Sequence, residues 1–332
     1  MKYLYCVIPT NEKQTFDVQG IGGQVYTIPY EDVSLVVSDS EPIPFTSVKK
    51  DELVRYLLTH QSTIEKIMLE NSVIPFKFGT FLDGEEEIQK TMKKGYELFK
   101  KSLASLNGKI ELDLVATWND MGGILKETGE MEEIQRFKDA VTKRPLSERV
   151  QGGIELGKMV KNCLDKKKDE TNEKIMGALT AKSLAFCKHA VLNDSMIFNT
   201  AFLIEKDKKE DFEKLLETLD KRFEGKINFK SVGPLPPYSF NTLEVKKIDP
   251  EEIAYAKAVL GIMEERTPEE IKKAYRTMAQ KLHPDTNPDN PDAEKQFAEL
   301  KKAFDLLSAY SSNGRDLFLI KELSWQQPNT KF

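Results

Sequence analysis

The chain is poor in the side chains that most often carry covalent or metal chemistry. Its 332 residues include three cysteines and three histidines. Cys6, Cys163 and Cys187 are odd in number and far apart, so they define neither a disulfide framework nor a metal motif. They read as free thiols of a reducing cytosol. His189 follows Cys187 by two residues in a stretch that reads as helical, a placement poorly suited to a shared metal. There is no Gly-x-x-x-x-Gly-Lys-[Ser/Thr] loop, and no Gly-x-Gly-x-x-Gly follows a strand. Gly20-Ile21-Gly22-Gly23 and Gly152-Gly153 are short turns outside that context. A Ser/His/Asp grouping can assemble in space from distant positions, but nothing in the sequence marks a nucleophile. No enzyme, cofactor or metal is expected. Long apolar runs are missing as well: none approaches the roughly 20 residues that span a bilayer. The opening Met1-Lys2-Tyr3-Leu4-Tyr5 enters a strand at once, without a signal-peptide layout. Finally, basic charge is not in excess. The formal net charge is −5 with the signs interspersed, which argues against a nucleic-acid partner.

What is present suits an ordinary globular chain of two or three domains, with 39% hydrophobic and 31% charged residues. Residues 2–9, 25–28 and 33–38 read as strands, with a flexible turn at 19–23. Helices are expected over 47–70 and 85–106, a strand over 72–78, and an alternating strand over 109–118. A mostly helical stretch follows from about 130 to 192, broken at Pro145. Strand, helix and strand are then expected at 198–204, 209–223 and 226–232, with a linker at 241–250. The fold class read from this pattern is α+β, with an all-α module at the end. The expected division is an α+β domain over 1–120, a helical segment plus β-α-β domain over 121–245, a helical module over 246–312 and a tail over 313–332.

Within that last module, Ile271, Ala274, Tyr275, Met278, Ala279 and Leu282 recur at helical spacing. Thr267 is placed to cap this helix and Pro268 to begin it. Lys272, Lys273, Arg276 and Lys281 fall mostly off the apolar stripe. Pro284 stops the helix, and a second one starts near Asp292, with Ala293, Phe297, Leu300, Phe304 and Leu307 as its seam. Two such stripes bury each other and leave His283-Pro284-Asp285 at the tip. A basic helix face is ordinarily just a solvated one, and His-Pro-Asp occurs by chance in many chains. Here the tripeptide sits between matched helices and follows Tyr255-Ala256-Lys257-Ala258-Val259-Leu260-Gly261. The whole resembles a J-domain, the DnaJ-type module that stimulates the ATPase of a DnaK-type chaperone. The resemblance implies that His283, Pro284, Asp285, Lys272, Lys273 and Arg276 contact the chaperone. Thr277 and Thr286 stand where many members carry basic residues.

Three other segments resemble a second family. They are Tyr3-Leu4-Tyr5-Cys6-Val7-Ile8-Pro9, His60 with Val73-Ile74-Pro75-Phe76-Lys77-Phe78-Gly79-Thr80, and Gly233-Pro234-Leu235-Pro236-Pro237-Tyr238-Ser239-Phe240. Taken alone, His60 reads as a packed or surface histidine, and the Pro-rich segment as an ordered exit from a sheet. Together, in this order, they resemble the gas-vesicle accessory proteins GvpF and GvpL over about the first three-quarters of the chain. Leu235 stands where that family often has Trp. The resemblance implies an α+β N-terminal domain and a ferredoxin-like second domain. It also implies a cytoplasmic, gas-vesicle-associated assembly factor that binds the hydrophobic shell protein GvpA, with other gas-vesicle accessory proteins as further candidate partners. Which surface binds the shell protein is unknown from the sequence. The alternative is a minor structural component of the vesicle that uses its J-like module only for packing or docking.

Overall fold

The computed structural model describes residues 1–264, 267–286, 291–312 and 318–323. Strand β1 (Lys2–Ile8) is apolar and fully buried from Tyr3 to Ile8. A strand with no solvent face belongs at the centre of a sheet. The meander β2 (Thr15–Gln19), β3 (Gln24–Tyr30) and β4 (Val33–Asp39) flanks it on one side. After helix α1 (Lys50–Met68), the short strands β5 (Ile74–Pro75) and β6 (Phe81–Leu82) pair with β1 from the other side. The sheet order is β2-β3-β4-β1-β5, with β6 also on β1. Helix α2 (Gly84–Leu106) covers one face, against Leu4, Val7, Leu35 and Val37. Helix α1 covers the other, against Tyr3, Tyr5, Ile8 and Val36. A register shift between Leu4 and Cys6 lets the strand change phase, so Cys6 joins the tyrosine side and Val7 the α2 side. The strand expected over 72–78 is shorter than that, and β2 lies where the sequence showed no apolar run.

The second sheet opens with β7 (Lys109–Trp118). Helices α3 (Met121–Gly129), α4 (Glu132–Thr142) and α5 (Leu146–Ala181) follow, with Pro145 at the N-cap of α5. Then come β8 (Ala185–Lys188), β9 (Met196–Glu205), α6 (Lys209–Arg222) and β10 (Ile227–Leu235). All neighbouring strands are antiparallel, in the order β10-β7-β9-β8. Counted within this unit, the spatial order is 4-1-3-2 in a β-α-β-β-α-β chain, the ferredoxin-like arrangement. Two expectations are corrected. Strand β7 belongs to this second sheet and not to the first domain. Residues 185–188, read as helical, form strand β8; four residues are too few for a period to show.

Helix α5 runs for 36 residues, about 54 Å at 1.5 Å per residue. Near its C-terminal end Ile175 and Leu179 pack on the second sheet. By helical periodicity the same face carries Leu164, Ile154, Val150 and Leu146 further back. There the helix overhangs the sheet, and Leu146 and Val150 are 79% and 73% exposed. Where overhang and sheet meet, Trp118, Met121, Leu125, Val160 and Leu164 line a groove of about 450 Å³.

The linker expected at 241–250 is largely strand β11 (Thr242–Lys247). Helices α7 (Pro250–Leu260), α8 (Pro268–Leu282) and α9 (Ala293–Ser312) follow, and the chain returns in β12 (Phe318–Leu323). Strands β11 and β12 pair antiparallel along their whole length, from Thr242 opposite Leu323 to Lys247 opposite Phe318. The expected tail therefore contains a strand, while 313–317 and 324–332 lie outside the described residues, as does most of the expected loop at 287–291. The ribbon rests on the body. Lys77 N–H donates to the Leu243 carbonyl at 2.8 Å, and Val245 and Ile320 pack against the α2 core. The Glu322 carboxylate accepts from the Ser102 hydroxyl and, at 2.9 Å, from the Asn241 amide.

Candidate functional site

Helix α8 begins in a reciprocal cap. Glu270 N–H donates to Thr267 Oγ1 at 3.3 Å, and Thr267 N–H donates to the Glu270 carboxylate at 2.9 Å. Two backbone donors that the first turn would leave unpaired are thereby satisfied. The apolar stripe turns inward as its spacing predicted. Ile271 is buried with Leu300, Ala303 and Leu307 of α9 and with Ile253, Ala256 and Leu260 of α7. The Tyr275 ring stacks on Phe304 with centroids 4.3 Å apart. Helix α7 ends at Gly261, whose φ of 65° suits a residue without a Cβ. With one face of α8 fixed in this core, Lys272, Lys273 and Arg276 are exposed on the other.

At the tip, Pro284–Thr286 form one 3₁₀ turn. The His283 ring stands edge-on to Phe297, with centroids 5.1 Å apart. Its Nδ1 accepts the Asp285 N–H at 3.2 Å and lies 3.6 Å from the Asp285 carboxylate. A hydrogen bond within the tripeptide and an aromatic contact to α9 thus help to hold the tip. His283, Pro284 and Asp285 share this tip, and the three cations lie along the helix that leads to it. The contact with Phe297 was not anticipated, although Phe297 was already in the seam.

The segments that resemble GvpF and GvpL converge elsewhere. Tyr3 Oη donates to His60 Nδ1 at 2.9 Å, and His60 Nε2–H donates to the Phe76 carbonyl at 3.2 Å. Gly79 N–H donates to Tyr3 Oη, and Tyr5 stacks on the imidazole. Burial holds the His60 pKa down to about 4, against the opposing hydrogen bond to Phe76. His60 is a satisfied neutral core group, and Tyr238 of the Pro-rich segment packs against the same cluster.

A Ser/His/Asp grouping does form, at Ser239, His189 and Asp113. His189 Nε2 lies 3.2 Å from Ser239 Oγ and 4.0 Å from Asp113 Oδ1. His189 sits just beyond β8 and not within a helix, which corrects the sequence reading. The same ring nitrogen faces both partners, whereas a triad uses one nitrogen for each. Ser239 is also buried, and its hydroxyl donates to Glu111 at 2.7 Å while its N–H donates to the same carboxylate at 2.8 Å. Burial, then the charge of Asp113, raises Glu111 to about 8 against those two hydrogen bonds. The cluster anchors the Pro-rich segment. Among the described residues, no group of three or more His, Cys, Asp or Glu could hold a metal ion, and no helix is long and apolar enough to cross a membrane.

The fold and the tip together define a two-part protein, an α+β body bearing a three-helix module of the J type. The family described as gas vesicle synthesis protein GvpL/GvpF matches residues 1–242, and the chain belongs to that family. A DnaJ domain matches residues 257–313. Among curated relatives, gas vesicle protein F of Microcystis aeruginosa is 21% identical over 247 residues, covering 73% of this chain and 98% of that protein. The chaperone protein DnaJ of Bordetella petrii is 55% identical over 49 residues, 15% of this chain and 13% of that one. The crystal structure of GvpF from Anabaena superposes with a TM-score of 0.63 at 19% identity, over 72% of this chain and 96% of that chain. The Microcystis aeruginosa GvpF structure gives 0.56 at 20% identity, over 72% and 97%. This is a gas-vesicle-related protein with a J-domain, and both parts are non-enzymatic kinds of protein.

Proposed function

We propose that this protein is a cytoplasmic, gas-vesicle-associated assembly factor. Its body holds the hydrophobic shell protein GvpA, and its J-domain recruits a DnaK-type chaperone to it. Docking uses His283, Pro284 and Asp285 with Lys272, Lys273 and Arg276. The observation that carries this reading is the exposure of Lys272, Lys273 and Arg276 on α8, with Asp285 exposed at the tip, in a module built onto the body. A preformed tip loses little ordering entropy on binding. The cations would steer association, an effect that weakens with salt. The apolar overhang of α5 supports a hydrophobic partner for the body. Joining the two activities makes the second encounter intramolecular.

A second reading, a structural component whose module only packs, draws on the ribbon that ties the module to the body. One variant separates the two. His283→Gln is expected to abolish stimulation of a DnaK-type ATPase, to leave shell-protein co-purification unchanged, and to cost less than about 1 kcal/mol of stability. Wild-type chain that gives no stimulation would transfer the case to the structural reading.

A further inference from the structure

The overhang of α5 and the groove beneath it form one apolar track. Leu146, Val150 and Ile154 are exposed on the overhang. Val160 and Leu164 continue the same helix face into the groove, where Trp118, Met121 and Leu125 form the opposite wall. None of these side chains is buried, so each offers surface to a partner. From Leu146 to Leu164 the track is about 27 Å long at 1.5 Å per residue, or about five helical turns.

Two glycines, Gly153 and Gly157, stand on this face and are exposed. A Cβ built at either one meets nothing within 4 Å, and neither has a positive φ. Nothing inside the chain requires them to be small, and glycine weakens a helix interior relative to alanine. What they create is a saddle one turn long between Ile154 and Val160. There the backbone of a second helix can approach more closely than over a side chain. The charged residues that line the groove are Lys161, Lys168, Asp165 and Asp194, two of each sign. The track therefore selects by apolar area and shape, and not by charge. Its walls are two helices and the end of β7, an inner strand, so it offers no sheet edge to an extended peptide. A helix needs none, because it pairs its own backbone.

We propose that the α5 track binds the apolar face of a partner α-helix of about 18 residues, seated across Gly153 and Gly157. The site deepens the proposed holding of a hydrophobic shell protein. It rests on that reading for its natural occupant, and on the geometry alone for the form that occupant takes.

The test uses the full-length chain and two fluorescent peptides of about 18 residues. One is a Leu/Gln helix with a leucine stripe, the other has the same composition without a stripe. In anisotropy titrations the striped peptide is expected to bind at least about tenfold more tightly. Its affinity should change less than about threefold between low and high salt, since the rim carries no net charge. Gly153→Leu and Gly157→Leu fill the saddle and should each weaken binding about tenfold, whereas His283→Gln should not. The same two glycine variants should raise the thermal unfolding midpoint, because leucine favours the helix and the space is open. Glycines kept only for folding would give the opposite shift. Equal binding of both peptides, binding indifferent to both glycine variants, a steep loss with salt, or no binding at all overturns the proposal. So does self-association that Gly157→Leu abolishes in the absence of peptide binding, since the track would then belong to a second copy. Co-purification with shell protein separates the site from the reading beneath it. Glycine variants that lose the peptide but keep the shell protein overturn the assignment of that partner to the track. Wild-type chain that binds the striped peptide at the saddle but no shell protein supports the track and overturns the proposed function.

Discussion

His60 and Glu111 are both buried, and they carry opposite pH signatures. Folded His60 stays neutral down to about 4, while the unfolded imidazole protonates near 6.5. Its contribution to stability is complete above 6.5 and is lost as pH falls through about 4. Folded Glu111 keeps its proton up to about 8, while the unfolded carboxyl loses it near 4.5. Its contribution is complete below 4.5 and is lost as pH rises through about 8. Between about pH 6.5 and 8 the Glu111 slope is no longer offset by His60. Denaturant unfolding of the wild type is therefore expected to lose stability from about pH 6.5 to 8.5. Glu111→Gln, a neutral stand-in for the protonated acid, should flatten that limb. A variant with the wild-type slope would assign the proton to another group. The sequence reading of His60 as a packed or surface histidine holds in its first form, since the ring is buried, whereas Glu111 was not legible at all. The histidine was visible in the sequence, but its partners Tyr3 and Phe76 lie far away along the chain. The carboxylate was one of 54 acidic residues until Ser239 was brought onto it from 128 positions away.

At the scale of elements, periodicity was readable wherever a helix exceeded two turns and buried one stripe. Helices α2, α6, α8 and α9 follow their apolar spacing, and the cap of α8 stood in Thr267 and Glu270. Helix α1 does so only in its second half, where Ile64, Ile67 and Met68 are buried, whereas Val54, Leu57 and Leu58 are exposed. What stayed hidden was short or paired at long range. Strand β11 offers only Leu243 and Val245 as an alternating pair, and its partner lies some 75 residues on, past three helices. Hydrogen bonds between strands leave no trace in either sequence alone. Glu322 reports on that pairing, because it holds Ser102 and Asn241 together. Glu322→Ala is expected to cost about 1–2 kcal/mol in chemical unfolding, the loss of hydrogen bonds to a charged group. Helix α5 gives the opposite case. Replacing Leu146, Val150 and Ile154 by serine is expected to change stability by less than about 0.5 kcal/mol per site, because they face water. Loss of shell-protein co-purification from that folded variant would assign the overhang to the proposed partner; retention would move the contact elsewhere.

For the whole molecule, the order of domains is linear in sequence but not in space. The chain leaves the body on β11, builds three helices, and comes back on β12 to the same place. The GvpL/GvpF family match runs through residue 242, the first residue of β11, and the DnaJ match begins at residue 257, past the end of that strand. Lys247 and Phe318 are opposite one another at the far end of the ribbon, and neighbouring strands lie about 4.8 Å apart. A module whose entrance and exit are side by side is a cassette. Residues 248–317 could be cut out and the gap closed by Asn-Gly, the two-residue turn that such a hairpin prefers. The shortened chain is expected to fold with a single cooperative transition and to keep its body, and to lack the proposed stimulation of a DnaK-type ATPase. Differential scanning calorimetry and the ATPase assay read the two halves of that outcome. Aggregation of the spliced chain would mean that the helices support the body as well as sitting on it. Success would make the ribbon a socket into which other three-helix domains could be exchanged, with no change to the part of the protein that matches the GvpL/GvpF family.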